Sequence, residues 1–114
     1  MAKVIIVNSL VLDIKKKFTI VEANNIIDLM ETLEENPHKG KFLATVGGAV
    51  IKELKYNNFR FYFITDGFSL KCTNQAYLVN LLIRFVRMSD KKHQQQTIDE
   101  VKHLLVTIGP SAFT

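Results

Sequence analysis

The stretch that decides the fold runs from Phe59 to Thr65 and reads Phe-Arg-Phe-Tyr-Phe-Ile-Thr. Aromatic and β-branched residues favour strands, and successive side chains of a strand point to opposite faces of its sheet. We therefore predict a strand with two unlike faces, one carrying Phe59, Phe61 and Phe63 and the other carrying Arg60, Tyr62 and Ile64. Because the arginine must point away from the phenylalanines, the second face is expected to be only partly covered by the core.

Outward from this strand, apolar periodicity predicts further elements on both sides. Three more strands are predicted at Val4–Val7, Val50–Tyr56 and Leu78–Met88, the last of them central, and three helices at Ser9–Phe18, Val21–Glu35 and Thr97–Val106. The glycines around Lys39–Lys41 and at Gly47-Gly48 indicate loops. The segment Phe68–Tyr77 fits a strand extension, a loop or a helical turn equally well.

The resulting order is β-α-α-β-β-β-α, which predicts an α+β fold in a single domain over residues 1–114. Its two N-terminal helices should pack on one face of a mostly antiparallel, twisted sheet. The side chains expected to be largely buried are Ile26, Met30, Leu33, Phe61, Phe63 and Leu82.

Composition narrows the class of protein. Hydrophobic residues make up 47% of the 114 residues and charged residues 23%. This composition is typical of a globular protein rather than a disordered chain. The single cysteine, Cys72, excludes an internal disulfide and fits a reducing compartment. No apolar run approaches membrane-spanning length, and the stretch Val4–Val7 is too short for a secretory signal. We therefore expect a cytoplasmic protein without a membrane partner.

Charge is divided unequally along the chain. Residues 1–36 carry four lysines against six acidic residues, whereas residues 37–114 carry eleven lysines and arginines against five acidic residues. A basic C-terminal portion favours an anionic partner, of which nucleic acid is the commonest. There is no glycine-rich phosphate loop, metal-ligand spacing or nucleophile elbow in the sequence, so neither a cofactor nor a metal is predicted.

The basic residues on or beside the predicted sheet form the candidate site: Lys52, Lys55, Arg60, Arg84, Arg87, Lys91, Lys92 and His93. Two interpretations are open. The sheet face is either simply amphipathic and solvated, or it binds phosphate, because arginine can grip a phosphate with two hydrogen bonds and Tyr62 can stack on an unpaired base.

Three segments resemble the RelE superfamily of toxins from toxin–antitoxin modules. Leu33 to Gly40 is similar to the "L-x-x-N-P-x-x-G" helix end of that family, and Ile51 to Tyr62 is similar to its "K-x-L … Y-R-x-x-Y" strand pair. Leu81 to Lys92, followed by Thr97 to Val101, resembles the HigB-like, phage-derived branch, whose last strand precedes a basic loop and a final helix. The resemblance spans about residues 3–106 and rests on the joint order of the three segments.

The resemblance implies a RelE-like fold and a metal-independent endoribonuclease that cuts mRNA on the ribosome through attack by the substrate's own 2′-OH. Arg60 matches the family's strand arginine and would stabilise the phosphate, and Arg87 matches a lysine of the last strand. Lys52, Lys55, Lys91 and Lys92 fall at RNA-binding positions. The partner implied is a cognate antitoxin, short, largely helical and acidic where it docks, in a toxin–antitoxin hetero-oligomer.

The sequence departs from the family pattern at two places, and the missing C-terminal tyrosine favours a second interpretation. Met88 stands where the family has a second lysine, and no tyrosine follows Tyr77, although many members use a C-terminal tyrosine in catalysis. His93 is then the candidate general base, since histidine titrates near neutral pH. The alternative function is a non-catalytic RelE-like module that binds RNA or protein. A DNA-binding regulator ranks last, because no helix presents an obvious basic face.

Overall fold

The strand predicted at Phe59–Thr65 lies at the centre of a five-stranded sheet. Numbered along the chain, its strands are β1 (Lys3–Ile6), β2 (Lys41–Val46), β3 (Ala49–Tyr56), β4 (Phe59–Asp66) and β5 (Leu82–Asp90), and their spatial order is β1-β5-β4-β3-β2. A computed structural model describes residues 2–71 and 81–113 of the chain. Neighbouring strands are antiparallel except β1 and β5, which are parallel. With the four helices of the described ranges packed on this mixed sheet, the α+β class is confirmed.

The elements follow one another along the chain as β1 (Lys3–Ile6), α1 (Asn8–Lys17), α2 (Ile20–Glu31), a 3₁₀ turn (Thr32–Glu34), β2 (Lys41–Val46), β3 (Ala49–Tyr56), β4 (Phe59–Asp66), α3 (Gly67–Lys71), β5 (Leu82–Asp90), α4 (Gln94–Thr107) and a 3₁₀ turn (Pro110–Phe113). Within the described ranges, none of these helices is long and apolar enough to cross a bilayer.

The two N-terminal helices cover the phenylalanine face of the sheet, as predicted. Thr19 and Glu22 form a capping box that starts α2: the Thr19 hydroxyl accepts from the Glu22 N–H at 3.2 Å, and the Glu22 carboxylate accepts from the Thr19 N–H at 3.4 Å. The ring of Phe18 lies 4.9 Å from that of Phe59, centroid to centroid. Of the side chains predicted to be buried, all are buried except Leu82, which is half-buried.

The opposite face of the sheet is covered at its centre: Arg60 and Tyr62, predicted to lie on a partly covered face, are buried, whereas Lys55 on the same face is exposed. The apolar stripe of α4, formed by Ile98, Val101 and Leu105, is buried. Polar side chains of this face bond to the same helix, Arg87 to Glu100 and Glu53 to Gln94. An apolar helix stripe is buried by packing against another element. Because α1 and α2 occupy the phenylalanine face, the stripe of α4 packs on the opposite face of the sheet.

The predicted order lacks one strand and one short helix. Lys41–Val46, for which no strand was predicted, is the edge strand β2, where a register shift between Phe42 and Ala44 interrupts the period-two pattern typical of a strand. Gly67–Lys71 is a helical turn, one of the options left open for that region. The last strand runs Leu82–Asp90 rather than Leu78–Met88, and α4 begins at Gln94. Residues 78–80 of the predicted strand lie outside the described residues.

Gly40 is the glycine whose replacement should cost most. Its φ is +105°, and a Cβ atom there would lie 2.8 Å from Cζ of Phe63. We expect Gly40→Ala to lower the free energy of unfolding by about 1–3 kcal/mol, through strain and overpacking together. Gly47→Ala is the matched control, because Gly47 also has a positive φ but nothing within 4 Å of that position. Equal losses for the two variants in urea unfolding would contradict this packing.

Candidate functional site

Cations gather at one end of the sheet, where β4 begins and β5 finishes; we call this the basic end. Lys55 on β3, Arg60 on β4 and Ser89 on β5 are register partners there. The ammonium group of Lys17, at the end of α1, lies 5.3 Å from the centre of the Phe59 ring. The turn after β5 adds its own cations, so the basic end comprises Lys16, Lys17, Lys55, Arg60, Lys91, Lys92 and His93.

Arg60 is the most enclosed cation of the basic end, with 8% of its surface exposed. Its Nη1 donates to the carbonyl oxygen of Phe59 at 3.3 Å, and no described carboxylate lies within ion-pair distance of the guanidinium. No fully buried side-chain nitrogen in the described ranges lacks a hydrogen-bond partner, so the remaining nitrogens of Arg60 reach solvent. An enclosed arginine without a counter-ion favours an external anion such as phosphate.

A buried polar layer surrounds Arg60 on the same face. The Tyr62 hydroxyl lies 2.7 Å from the Ser89 hydroxyl, and the Glu53 carboxylate accepts from the Gln94 amide at 3.2 Å. Burial raises the pKa of Tyr62, while its hydrogen bond with Ser89 opposes that shift. The Tyr62 ring has no exposed surface, so the prediction that it stacks on a base is wrong. Its role in the structure is to tie β4 to β5 beneath α4.

His93 is oriented by a carboxylate. Asp90 Oδ1 accepts from the His93 backbone N–H at 2.8 Å and lies 2.8 Å from its ring Nδ1. An ionised aspartate accepts this bond from Nδ1–H, so in the neutral form of the ring the lone pair lies on Nε2. The side chain is 58% exposed, so the ring remains open to a substrate. A histidine held in this tautomer can take a proton from a hydroxyl group.

The same contact sets the acidity of Asp90, whose pKa is lowered chiefly by the side-chain hydrogen bond of His93 and further by its backbone N–H. A lowered folded-state pKa contributes stability that is present above the unfolded pKa and is lost as the pH falls through the folded one. We expect a carbon NMR titration to place Asp90 below an ordinary aspartate, and His93→Ala to raise it. A midpoint that does not move in this variant would contradict the contact.

The predicted lysine Lys52 does not belong to the basic end. It points to the opposite face, where it is 5% exposed, donates to the carbonyl oxygen of His38 at 2.8 Å and lies 5.9 Å from the centre of the Phe63 ring. Burial lowers its pKa. The prediction that Lys52 contacts RNA is therefore wrong; this side chain anchors the loop after α2 to the sheet.

Arg84 and Arg87 lie on the same face of the sheet as Arg60, but both lie beneath the C-terminal elements. Arg87 forms an ion pair with Glu100 at 3.0 Å and stacks on the Phe113 ring at 5.2 Å. Arg84 donates to the carbonyl oxygen of Pro110 at 3.3 Å and lines a cavity of about 500 Å³ toward the other end of the sheet. Arg84, predicted to bind RNA, thus lies away from Arg60, whereas Arg87, predicted to be catalytic, is a diagonal neighbour of Arg60 but is engaged by Glu100 and Phe113.

The contribution of α1 to the basic end was not predicted from the sequence. Lys16 and Lys17 line a cleft of about 470 Å³ that also includes His93 and the end of β5. The signal was present in the run of three lysines, Lys15 to Lys17, but the same run also suits a helix C-terminus, where cations offset the helix dipole.

The described side chains contain no group of three or more histidine, cysteine, aspartate or glutamate residues that could hold a metal ion. Comparison of the chain with protein-family models, with curated proteins and with solved structures finds no match.

Proposed function

We propose that this protein is the toxin of a toxin–antitoxin module, a RelE-like endoribonuclease of the HigB-like branch that cuts mRNA on the ribosome. The observation that carries the proposal is the histidine oriented by Asp90 at the same end of the sheet as the enclosed, unneutralised Arg60. A base and an anion-binding group at the same end of the sheet supply two functions that RNA cleavage by its own 2′-OH uses.

The residues have separate roles in this reaction. His93 Nε2 takes the proton of the 2′-OH, the 2′ oxygen attacks the adjacent phosphorus, and the 5′ oxygen leaves and acquires a proton. Arg60 stabilises the additional negative charge on the phosphoryl oxygens. The products are a 2′,3′-cyclic phosphate and a 5′-hydroxyl end, and the step uses no metal and no cofactor.

The lysines of the basic end hold the RNA backbone. Lys55, Lys91 and Lys92 are exposed, so they can neutralise phosphates on either side of the scissile one. Binding of this kind weakens steeply as salt increases, because it releases counterions from the RNA. A cytoplasmic antitoxin that is acidic where it docks would compete for the same lysines and hold the toxin in a hetero-oligomer.

The proposal is tested by inducing the protein in a bacterium and by incubating the purified protein with a translated message. We expect growth arrest, relieved by co-expression of the protein encoded in the neighbouring reading frame. Cleavage should continue in EDTA concentrations that leave ribosomes intact, and the fragments should end in 2′,3′-cyclic phosphate. Normal growth with intact transcripts would contradict the proposed endoribonuclease activity.

A second candidate is a non-catalytic module of the same fold that binds RNA or protein. It is favoured by the ion pair of Arg87 with Glu100 and by the covered ring of Tyr62, because both side chains are occupied within the protein. Salt-dependent RNA binding without any cleavage product would support this function and exclude the first.

A further inference from the structure

The cleft between α1 and α4 has features that the proposed cleavage reaction does not use. Its volume is about 470 Å³, which is in the range of small-molecule sites. Its walls are formed by the end of α1, the start of β4, the end of β5 and the start of α4, with the lining residues Asp13, Lys16, Lys17, Phe59, Met88, Ser89, Asp90, His93 and Thr97.

One wall of this cleft is the unpaired edge of a strand. β1 pairs with β5 over Leu82–Phe85, and its last bond runs from the Val7 N–H to the Phe85 carbonyl oxygen at 3.1 Å. Beyond Phe85, no described strand continues along that side of β5. The edge of Arg87–Asp90 therefore keeps its outward backbone groups available for a ligand.

The direction of those groups follows from the register. Backbone groups of successive strand residues point to opposite sides, and the carbonyl groups of Leu81 and Phe85 point to β1. Phe63 pairs with Phe85, whose carbonyl group points to β1, so on β4 the backbone groups of Tyr62 and Arg60 are the ones that face β5. Their partners after the bulge, Arg87 and Ser89, therefore face β4.

The C=O of Met88 and the N–H of Asp90 consequently point away from β4, on the side of the cleft. They place a hydrogen-bond acceptor next to a donor.

The C=O of Met88 can accept a hydrogen bond and the N–H of Asp90 can donate one. This pair complements a neighbouring donor and acceptor on the Watson–Crick edge of an unpaired base. The stretch of four residues is too short to template a peptide strand, whereas one base needs only this pair of groups. Lys16 and Lys17 stand on the opposite wall, and ammonium groups at that position suit the phosphate of the same nucleotide.

We propose that this cleft binds one nucleotide of single-stranded RNA, with its base on the β5 edge and its phosphate on Lys16 and Lys17. The inference rests on the proposed ribonuclease function and adds to it: the nucleotide lies beside His93, so the cleft selects RNA whose base is unpaired at the cleavage site. A base engaged in a duplex has no Watson–Crick edge to offer and is excluded.

The test is a nitrogen–proton NMR titration of the whole protein with three probes. Adenosine 5′-monophosphate carries the base and the phosphate, N6,N6-dimethyladenosine 5′-monophosphate lacks the amino donor, and ribose 5-phosphate lacks the base. We expect the first probe to bind at least tenfold more tightly than either of the others and to shift the amide resonance of Asp90. Equal affinities for all three would overturn the base site.

Variants of the lysine wall test the phosphate site separately. The double variant Lys16→Gln with Lys17→Gln should weaken adenosine 5′-monophosphate binding at least tenfold, whereas Lys41→Gln, an exposed lysine on the far edge strand, should not. Unchanged binding in the double variant would overturn the assignment. These readouts need no cleavage, so a protein that binds the nucleotide but cuts no RNA would reject the ribonuclease and keep the site.

Discussion

His93→Ala is expected to lower RNA cleavage by about a hundredfold or more, because the ring of His93 is the proposed acceptor of the 2′-OH proton. The side chain is exposed and its ring bonds only to Asp90 within the described structure, so the melting temperature should stay close to that of the wild type. The measurement is the initial rate of cleavage of a translated message by each purified protein, with thermal unfolding followed in parallel.

Asp90→Asn separates orientation from proton transfer. The asparagine oxygen can still accept the ring bond but carries no charge to stabilise the imidazolium, so cleavage should fall to a value between wild type and His93→Ala. His103→Ala is the matched control, since this histidine is exposed on α4 away from the basic end. If His93→Ala cleaves as fast as His103→Ala, the general base lies elsewhere.

Replacement of Arg60 should have the second largest effect. Arg60→Met keeps an unbranched apolar stem and removes the guanidinium, and we expect cleavage to fall about a hundredfold, or about 3 kcal/mol of transition-state stabilisation. Arg60→Lys should recover little of this, because an ammonium group cannot make the two-pronged contact. Lys39→Ala, in the exposed loop after α2, should change the rate only slightly.

Alanine is a poor substitution at Arg60. A strand arginine on an open face could be truncated without loss of packing, but this side chain is 8% exposed beneath α4. Arg60→Ala is therefore expected to lower the melting temperature as well as the rate, which would confuse folding with catalysis. A rate equal to wild type in Arg60→Met with unchanged melting would remove Arg60 from the reaction.

Alternation along a single strand was the most informative signal in the sequence. It assigned Phe61 and Phe63 to one face of β4 correctly, because strand geometry has a fixed period of two. The apolar stripe of α4 indicated that one side of that helix is buried but not which surface covers it. Two predictions about the sheet were wrong, namely that Arg60 lies on a partly covered face and that the Tyr62 ring is accessible. Both errors follow from not knowing which surface α4 covers.

The candidate site was predictable where its residues are close together both in the sequence and in the structure. Lys91, Lys92 and His93 follow the last strand directly, so any antiparallel pairing of that strand with β4 brings them toward Arg60. Lys52 was assigned wrongly although parity already separates it from Lys55, three residues further along the strand. Lys16 and Lys17 reach the site because α1 packs against this end of the sheet. The spacing of residues in the sequence does not predict that packing.

The pairing of the first strand with the last one has a consequence for synthesis. β5 lies between β1 and β4, so a nascent chain that ends before Leu82 has no neighbour for its first strand. Contacts of such long sequence separation form late, because a long loop must close first. Asp90 and His93 emerge later still. The sheet and the candidate site are therefore completed only after β5 and the turn that follows it have left the exit tunnel.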